Sequence, residues 1–205
     1  GKIAVNHALN DVFAMGASPK SALAIVGLPL SSPKLMKNDM SLLMRGASEG
    51  LAENRTVLVG GHTNEADEIN IGFSAYGEVE ERALIRKTGA VNGDLIIVTR
   101  PLGSGVLFAG AMKGLTKGRW ISTTLQEMAL SNANASNIFS ECGATSLTDI
   151  TGFGLVGHLS EMIQGSEEGA TIFLKKVPLY DGVLALAELG IESTLKPENI
   201  KINHI

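Results

Sequence analysis

The sequence has a single cysteine, Cys142, and its aromatics are limited to six Phe, two Tyr and one Trp among 205 residues. A lone cysteine excludes an internal disulfide framework and a multi-cysteine zinc site, and makes a reducing, cytoplasmic setting the default expectation. So few aromatic rings leave little for stacking on bases or sugars. Positive charge is also scarce: 17 Lys and Arg stand against 21 Asp and Glu, for a net charge of −4. That balance supplies no basic field to displace counterions from a duplex, so no nucleic-acid partner is expected. No apolar run approaches the ~18 residues of a membrane span. The least polar stretch, Ser21 to Leu30, is broken by Gly27 and Pro29, and no membrane partner is expected. Signal peptide, fixed-period repeat and low-complexity tract are all missing from the sequence.

What is present is a 44% hydrophobic content and 24 glycines, enough for a sizeable core with many turns. Apolar residues at Val5, Ala8, Leu9 and Val12 predict a helix from Lys2 to Met15, with Gly16 as its stop and Pro19 beyond. His7 and Asp11 fall one turn apart at the edge of that face, with Asn6 and Asn10 on the polar side. Ser21 to Leu28 reads as a strand buried on both faces. Ser32-Pro33 opens a second helix whose stripe is Met36, Met40, Leu43, Met44, Ala47 and Leu51, a core stripe by composition. Thr56 to Val59 reads as a short strand running into Gly60-Gly61-His62-Thr63, with a polar loop from Asn64 to Glu68. Ile69 to Val79 alternates with period two, as a half-buried strand does.

Charge clusters near Glu80 to Ala90 mark a boundary, giving domains 1–87 and 88–205. In the second, strands are expected at Leu95 to Thr99, Thr145 to Leu147 and Ala170 to Leu174. Helices are expected after Gly105, over Ser122 to Ser131 and Asn132 to Cys142, through Leu155 to Ile163, and over Tyr180 to Leu189 with Gly190 as stop. Mixed helices and strands in both halves define an α+β fold of the α/β sandwich type, in two units. The chain opens at Gly1-Lys2-Ile3 already in helical rhythm and stops at Asn203-His204-Ile205 without an obvious cap, reading as a portion of something longer.

Few residues invite chemistry. Gly60-Gly61-His62-Thr63 after a strand is either a tight turn or a place where backbone amides meet an anion. The Walker and Rossmann glycine patterns are both missing. Asp149, between an apolar stretch and a glycine turn, is either a cap or Asx-turn residue or a magnesium ligand. Asp11 is either a solvated carboxylate or a ligand, and no local spacing ties it to Asp149. His158 reads as structural, Cys142 as a buried and inert helix-end residue, and Lys175-Lys176 and Glu167-Glu168 as surface charge.

Four stretches together resemble the selenophosphate synthetases: Asn6-His7-Ala8-Leu9-Asn10-Asp11-Val12-Phe13-Ala14-Met15-Gly16, Val59-Gly60-Gly61-His62-Thr63, Thr99-Arg100-Pro101-Leu102-Gly103-Ser104-Gly105-Val106-Leu107, and Thr148-Asp149-Ile150-Thr151-Gly152-Phe153-Gly154-Leu155-Val156-Gly157-His158-Leu159. They occur in the family's order. The wider superfamily includes aminoimidazole ribonucleotide synthetase, thiamine-monophosphate kinase and a hydrogenase maturation factor.

This resemblance implies a two-domain aminoimidazole ribonucleotide synthetase-like fold, incomplete at both ends, whose N-terminal domain pairs with its copy in a homodimer through a shared barrel. It implies conversion of ATP, selenide and water to selenophosphate, AMP and phosphate with Mg2+. By matching position, Asp11 contacts ATP through metal and Asp149 is a second metal-binding aspartate. Gly61, His62 and Thr63 match the loop that contacts ATP from the partner subunit. The family's reactive cysteine or selenocysteine and its catalytic lysine belong to a glycine-rich region that would precede Gly1. Cys142 does not match the reactive position, so no catalytic residue is assigned within these 205 residues.

Overall fold

The computed structural model describes residues 1–164 and 169–202. Glu167-Glu168 and the closing Asn203-His204-Ile205 lie outside the described residues. In chain order the elements are α1 (Lys2–Phe13), β1 (Ser18–Leu28), α2 (Pro33–Glu53), β2 (Val57–Glu65), β3 (Asn70–Glu78), α3 (Ser104–Met112), α4 (Gly118–Met128), α5 (Ala133–Glu141), α6 (Gly154–Ile163), α7 (Val183–Glu188) and α8 (Lys196–Ile202). Contacts divide them into two compact units, one of residues 1–85 and 128–144, the other of 86–127 and 145–205.

In the first unit, α1 buries Val5, Leu9 and Phe13, spaced by four so that they stack along one face. Its end is set by Gly16, whose φ of 68° suits a residue without a Cβ, and whose amide returns to the Phe13 carbonyl at 3.0 Å. Ser32 caps α2 by accepting the Leu35 amide at 3.3 Å, with Pro33 in the first turn. Only the C-terminal half of the expected stripe is deeply placed: Ala47 and Leu51 are buried, with Met44 against them. The core is Val5, Leu9, Phe13, Ala22, Ala47 and Leu51, joined by Phe73, Ala75 and Ala133. Burial of a side chain such as Leu9 is worth about 1.5–3 kcal/mol.

The sheet of this unit is mixed, in the order β2-β1-β3, with β2 parallel and β3 antiparallel to β1. β1 is not buried on both faces. Ala22, Ala24, Val26 and Leu28 face the helices, whereas Leu23 and Ile25 are 45% and 54% exposed on the other side. The sheet has helices on one face only, so period two governs even a strand whose residues are apolar on both sides.

The second unit is helical. Its core joins Leu107 and Ala109 of α3 to Val183 and Leu186 of α7 and to Ile191, with Trp120 and Tyr180 packed against them. Gly182, at φ 88°, lies so close under the Trp120 ring that a Cβ there would overlap it. The strands expected at Leu95 to Thr99, Thr145 to Leu147 and Ala170 to Leu174 do not form. Leu95 and Ile97 are 86% and 65% exposed. A strand needs a neighbour to take its amides, and among the described residues the only pairing in this unit is a bridge between Leu102 and Leu179. No helix among the described residues is long and apolar enough to cross a membrane. Cys142 is also unlike its sequence reading: it follows α5 as its cap and is exposed, because the helix ends at the surface rather than against the core.

Candidate functional site

In the first unit, Asp11 and His7 lie on the exposed side of α1. Asn6, expected on the polar side, is instead 3% exposed. It is satisfied in part by Asn54 at the end of α2, whose side-chain amide donates to Asn6 Oδ1 at 3.3 Å and to the Gly50 carbonyl at 2.7 Å. Asn54 Oδ1 accepts the Ser131 hydroxyl at 2.5 Å. Asn132 donates to Asn10, and the Ser136 hydroxyl donates to the Phe13 carbonyl at 2.7 Å. The helix that carries Asp11 is thus pinned by polar groups from α2 and from the segment leading into α5. Sequence periodicity missed this lattice, because an Asn with a partner can be buried where an unpartnered one cannot.

Gly60, Gly61, His62 and Thr63 are not a turn. They continue β2, registered against Leu23, Ala24, Ile25 and Val26 of β1, after an irregularity between Ala22 and Leu23. All nine residues of β2 are exposed, so the sequence-predicted ATP contacts sit on an open edge strand. Gly61 also has a structural reason to be glycine: a Cβ there would overlap the Ala24 carbonyl oxygen. Gly60 has room, with Leu23 Cδ2 at 3.4 Å from such a Cβ. α1 packs on β3 and β1, whereas β2 occupies the opposite edge of the sheet.

Asp149 belongs to the second unit and is half-buried. The strand-like residues before it are stitched to 86–94 without forming a regular ladder. Leu147 donates its amide to the Arg86 carbonyl at 3.2 Å, Ser146 donates to the Lys87 carbonyl, and Thr145 donates to Asp94 Oδ2 at 2.6 Å. The Thr145 bond, with the Val91 amide beside it, holds the Asp94 carboxyl below its ordinary value. After Asp149 the chain turns through Thr151, Gly152 and Phe153 into α6. His158, 6% exposed, closes that turn from within the helix, with its Nε2 at 3.1 Å from both the amide nitrogen and the hydroxyl of Thr151. Its Nδ1 is 3.4 Å from Glu161 Oε2, near enough for attraction but without an aligned hydrogen bond. Glu161 pairs with Lys87 at 3.1 Å, and that ammonium holds its carboxyl below the ordinary value. The structural reading of His158 therefore stands, and the residues it engages, Thr151, Glu161 and Lys87, carry no sequence signal of their own.

Among the described residues no three His, Cys, Asp or Glu side chains converge as a protein-only metal cage would require. Magnesium does not require one, since it binds through one or two carboxylates with phosphate oxygens and water. Exposed Asp11 and half-buried Asp149 fit that donor chemistry. The second unit also holds a cavity of about 230 Å3 lined by Trp120, Glu127, Tyr180 and Asp181 among others. Pro101, from one of the four resemblance stretches, also lines it, but none of the candidate ATP- or metal-binding residues does. Burial and then Glu127 push the Tyr180 hydroxyl up from its ordinary value.

With this fold and these residues placed, the chain's kinship can be stated: the AIR synthase related protein N-terminal domain matches residues 1–79 and the C-terminal domain residues 91–194, so the chain belongs to the AIR synthase related proteins. Within that family it is similar to proteins named selenide, water dikinase. The one from Citrifermentans bemidjiense is 36% identical over 191 residues, covering 93% of this chain and 55% of that protein. The one from Caldanaerobacter subterraneus is 37% identical over 193 residues, covering 93% and 54%. The chain spans about half the length of the curated relatives it matches. Among solved structures it shares its fold with hydrogenase maturation protein HypE in complex with ATP, at a TM-score of 0.76 and 20% identity over 94% of this chain and 58% of that one. Thiamine monophosphate kinase from Aquifex aeolicus gives a TM-score of 0.74 at 21% identity over 95% and 66%.

Proposed function

We propose that this chain is part of a selenide, water dikinase, an enzyme that converts ATP, selenide and water to selenophosphate, AMP and phosphate. The observation that carries the reading is the match to selenide, water dikinases across 93% of the chain, with the Asp149 turn held in an ordered hydrogen-bonded frame. Asp11 and Asp149 would each offer a carboxylate oxygen to Mg2+, and the bound metal would supply charge neutralisation for the phosphates. Positioning and charge neutralisation dominate phosphoryl transfer, and selenide is already a strong nucleophile, so neither a serine triad nor an activated hydroxyl is needed. By the resemblance, no residue of this chain is assigned to handle selenide directly, exposed Cys142 included.

Gly61, His62 and Thr63 contact the ATP bound by a second copy. This is supported by their place on an open edge strand, with β1 between them and the side of the sheet where α1 packs. In the homodimer the exposed sheet face, with Leu23, Ile25 and Val57, is covered, and closing the sheet removes its free edges. The enzyme works in the cytoplasm.

The test is selenide-dependent AMP release and selenophosphate formation by the complete protein, with Asp149→Asn and Asp11→Asn each lowering turnover by about a hundredfold or more. AMP release without selenide dependence points instead to another ATP-using member of the family. Near-normal turnover in a folded Asp149→Asn protein refutes the metal role and leaves Asp149 as a turn residue, worth about 1 kcal/mol of stability. Sedimentation as a monomer at high concentration refutes the dimer.

A further inference from the structure

We infer that His158 is a positioning residue for Asp149: by accepting from Thr151 it fixes the turn that presents the Asp149 carboxylate, and Glu161 with Lys87 steadies the ring from behind. The inference rests on the reading of Asp149 as a metal ligand and names what holds that ligand in place.

The geometry is specific. His158 Nε2 is 3.1 Å from the Thr151 amide nitrogen, a group that can only donate, so this ring nitrogen is the acceptor and the ring hydrogen resides on Nδ1. The Thr151 hydroxyl, also at 3.1 Å, converges on the same atom. Both polar groups of the residue two positions after Asp149 thus lie at hydrogen-bond distance from one atom of a side chain that is only 7% exposed. Nδ1 faces Glu161 Oε2 at 3.4 Å, and Glu161 is itself held by Lys87 at 3.1 Å. The Phe153 ring lies against the imidazole, with centroids 5.6 Å apart. On the far side, Leu195 closes over Gly152, where an added Cβ would lie 3.1 Å from its Cδ1. The turn is therefore gripped from inside by His158 and from outside by the approach to α8.

Removing the acceptor leaves the Thr151 amide without its partner inside the protein. The exposed turn then loses the tie that fastens it to α6, and the peptides that follow Asp149 are no longer held in one orientation. A ligand displaced by a fraction of an ångström binds its metal poorly, and loss of a supporting hydrogen bond behind a metal ligand costs 10–100-fold in metal affinity.

The experiment titrates Mn2+ into the complete protein in the presence of ATP, by electron paramagnetic resonance, for four variants: His158→Leu, His158→Gln, Asp149→Asn and the double variant His158→Leu/Asp149→Asn. Melting temperature is recorded for each. The expected result is an affinity about tenfold lower or worse for His158→Leu and about threefold or less below wild type for His158→Gln, which retains an acceptor. Asp149→Asn loses at least as much as His158→Leu, and adding His158→Leu to it costs nothing further. Unchanged Mn2+ affinity in folded His158→Leu, with Asp149→Asn still defective, overturns the positioning role and leaves the metal reading intact. Unchanged affinity in Asp149→Asn overturns the metal reading, and the positioning role with it. An equal loss in His158→Leu and His158→Gln also overturns the role, because it shows that packing rather than the acceptor matters. Should His158→Leu fail to fold, His158→Phe decides: it fills the space of the ring without offering an acceptor, and an affinity equal to wild type overturns the proposal.

Discussion

Asn132 donates its side-chain amide to Asn10 Oδ1 at 2.9 Å, joining α1 to the segment ahead of α5 across 122 positions of sequence. Its neighbours extend the same lattice through Ser131 and Asn54 to Asn6, so the orientation of the helix bearing Asp11 is a property of several polar groups rather than of apolar packing alone.

Asn54→Ala is expected to destabilise the protein by about 1–3 kcal/mol, because Asn6 Oδ1 and the Ser131 hydroxyl both lose a partner in or near the core. Thermal unfolding should show a midpoint lower by about 2–4 °C for each kcal/mol lost. An unchanged midpoint would mean that water replaces the amide at no cost.

Gly61→Ala and Gly60→Ala should behave differently although they are adjacent. At Gly61 the new methyl meets the Ala24 carbonyl, so β2 must shift away from β1, a cost of about 1–3 kcal/mol, and on the proposed reading of this strand ATP binding weakens with it. At Gly60 the methyl meets only Leu23 Cδ2 at 3.4 Å, and stability should stay within about 0.5 kcal/mol of wild type. Urea unfolding of the pair, with ATP affinity measured alongside, checks both halves of the claim.

Lys87 holds the Glu161 carboxyl below its ordinary value of 4.5. The unfolded chain therefore binds the proton more readily, and stability from this pair is fully present above pH 4.5 and is lost as pH falls through the depressed value. Glu161→Gln should be less stable than wild type at neutral pH, with the gap closing in acid. The side chain is 37% exposed, so the gap stays under about 1 kcal/mol and shrinks in 1 M salt. Denaturation across pH 3–7 reads the sign directly.

Cys142 is exposed, and it is the only cysteine in the chain. One thiol should react with a chromogenic disulfide reagent in the native protein about as fast as in the denatured protein. Protection until denaturation would contradict the exposed helix end.

The first unit was largely legible. Ser32-Pro33 carries a cap signature, Gly16 a stop, and Ile71, Phe73 and Ala75 alternate with polar residues, and each of these signals is local. What failed depended on neighbours. The apolar run at Leu95 to Thr99 has the composition of a strand, but strand formation is decided by a partner, and none lies beside it among the described residues. Gly60-Gly61 has turn composition, yet the pair is straightened by β1, whose backbone approaches closely enough to require the missing Cβ. Asn6 was placed on the wrong side because its partner Asn54 is in another helix. At the candidate site, Asp11 and Asp149 are assigned through resemblance alone, since nothing in their spacing connects them. The grip of His158 on Thr151 had no cue in the sequence, because Thr151 lies in the turn ahead of α6 and only the folded turn brings the two together.

The chain leaves the first unit after residue 85 and rejoins it from 128 to 144. On a ribosome, α1, α2 and the sheet emerge well before the helix that completes their core, so the Phe13 carbonyl, engaged locally by the Gly16 amide, gains its second donor only when Ser136 arrives from 123 positions downstream. Closing so long a loop carries an entropic cost that local contacts have not yet offset, which makes for slow folding. During that interval the unfinished core is open to a chaperone, and translation speed through residues 86–127 becomes a determinant of yield.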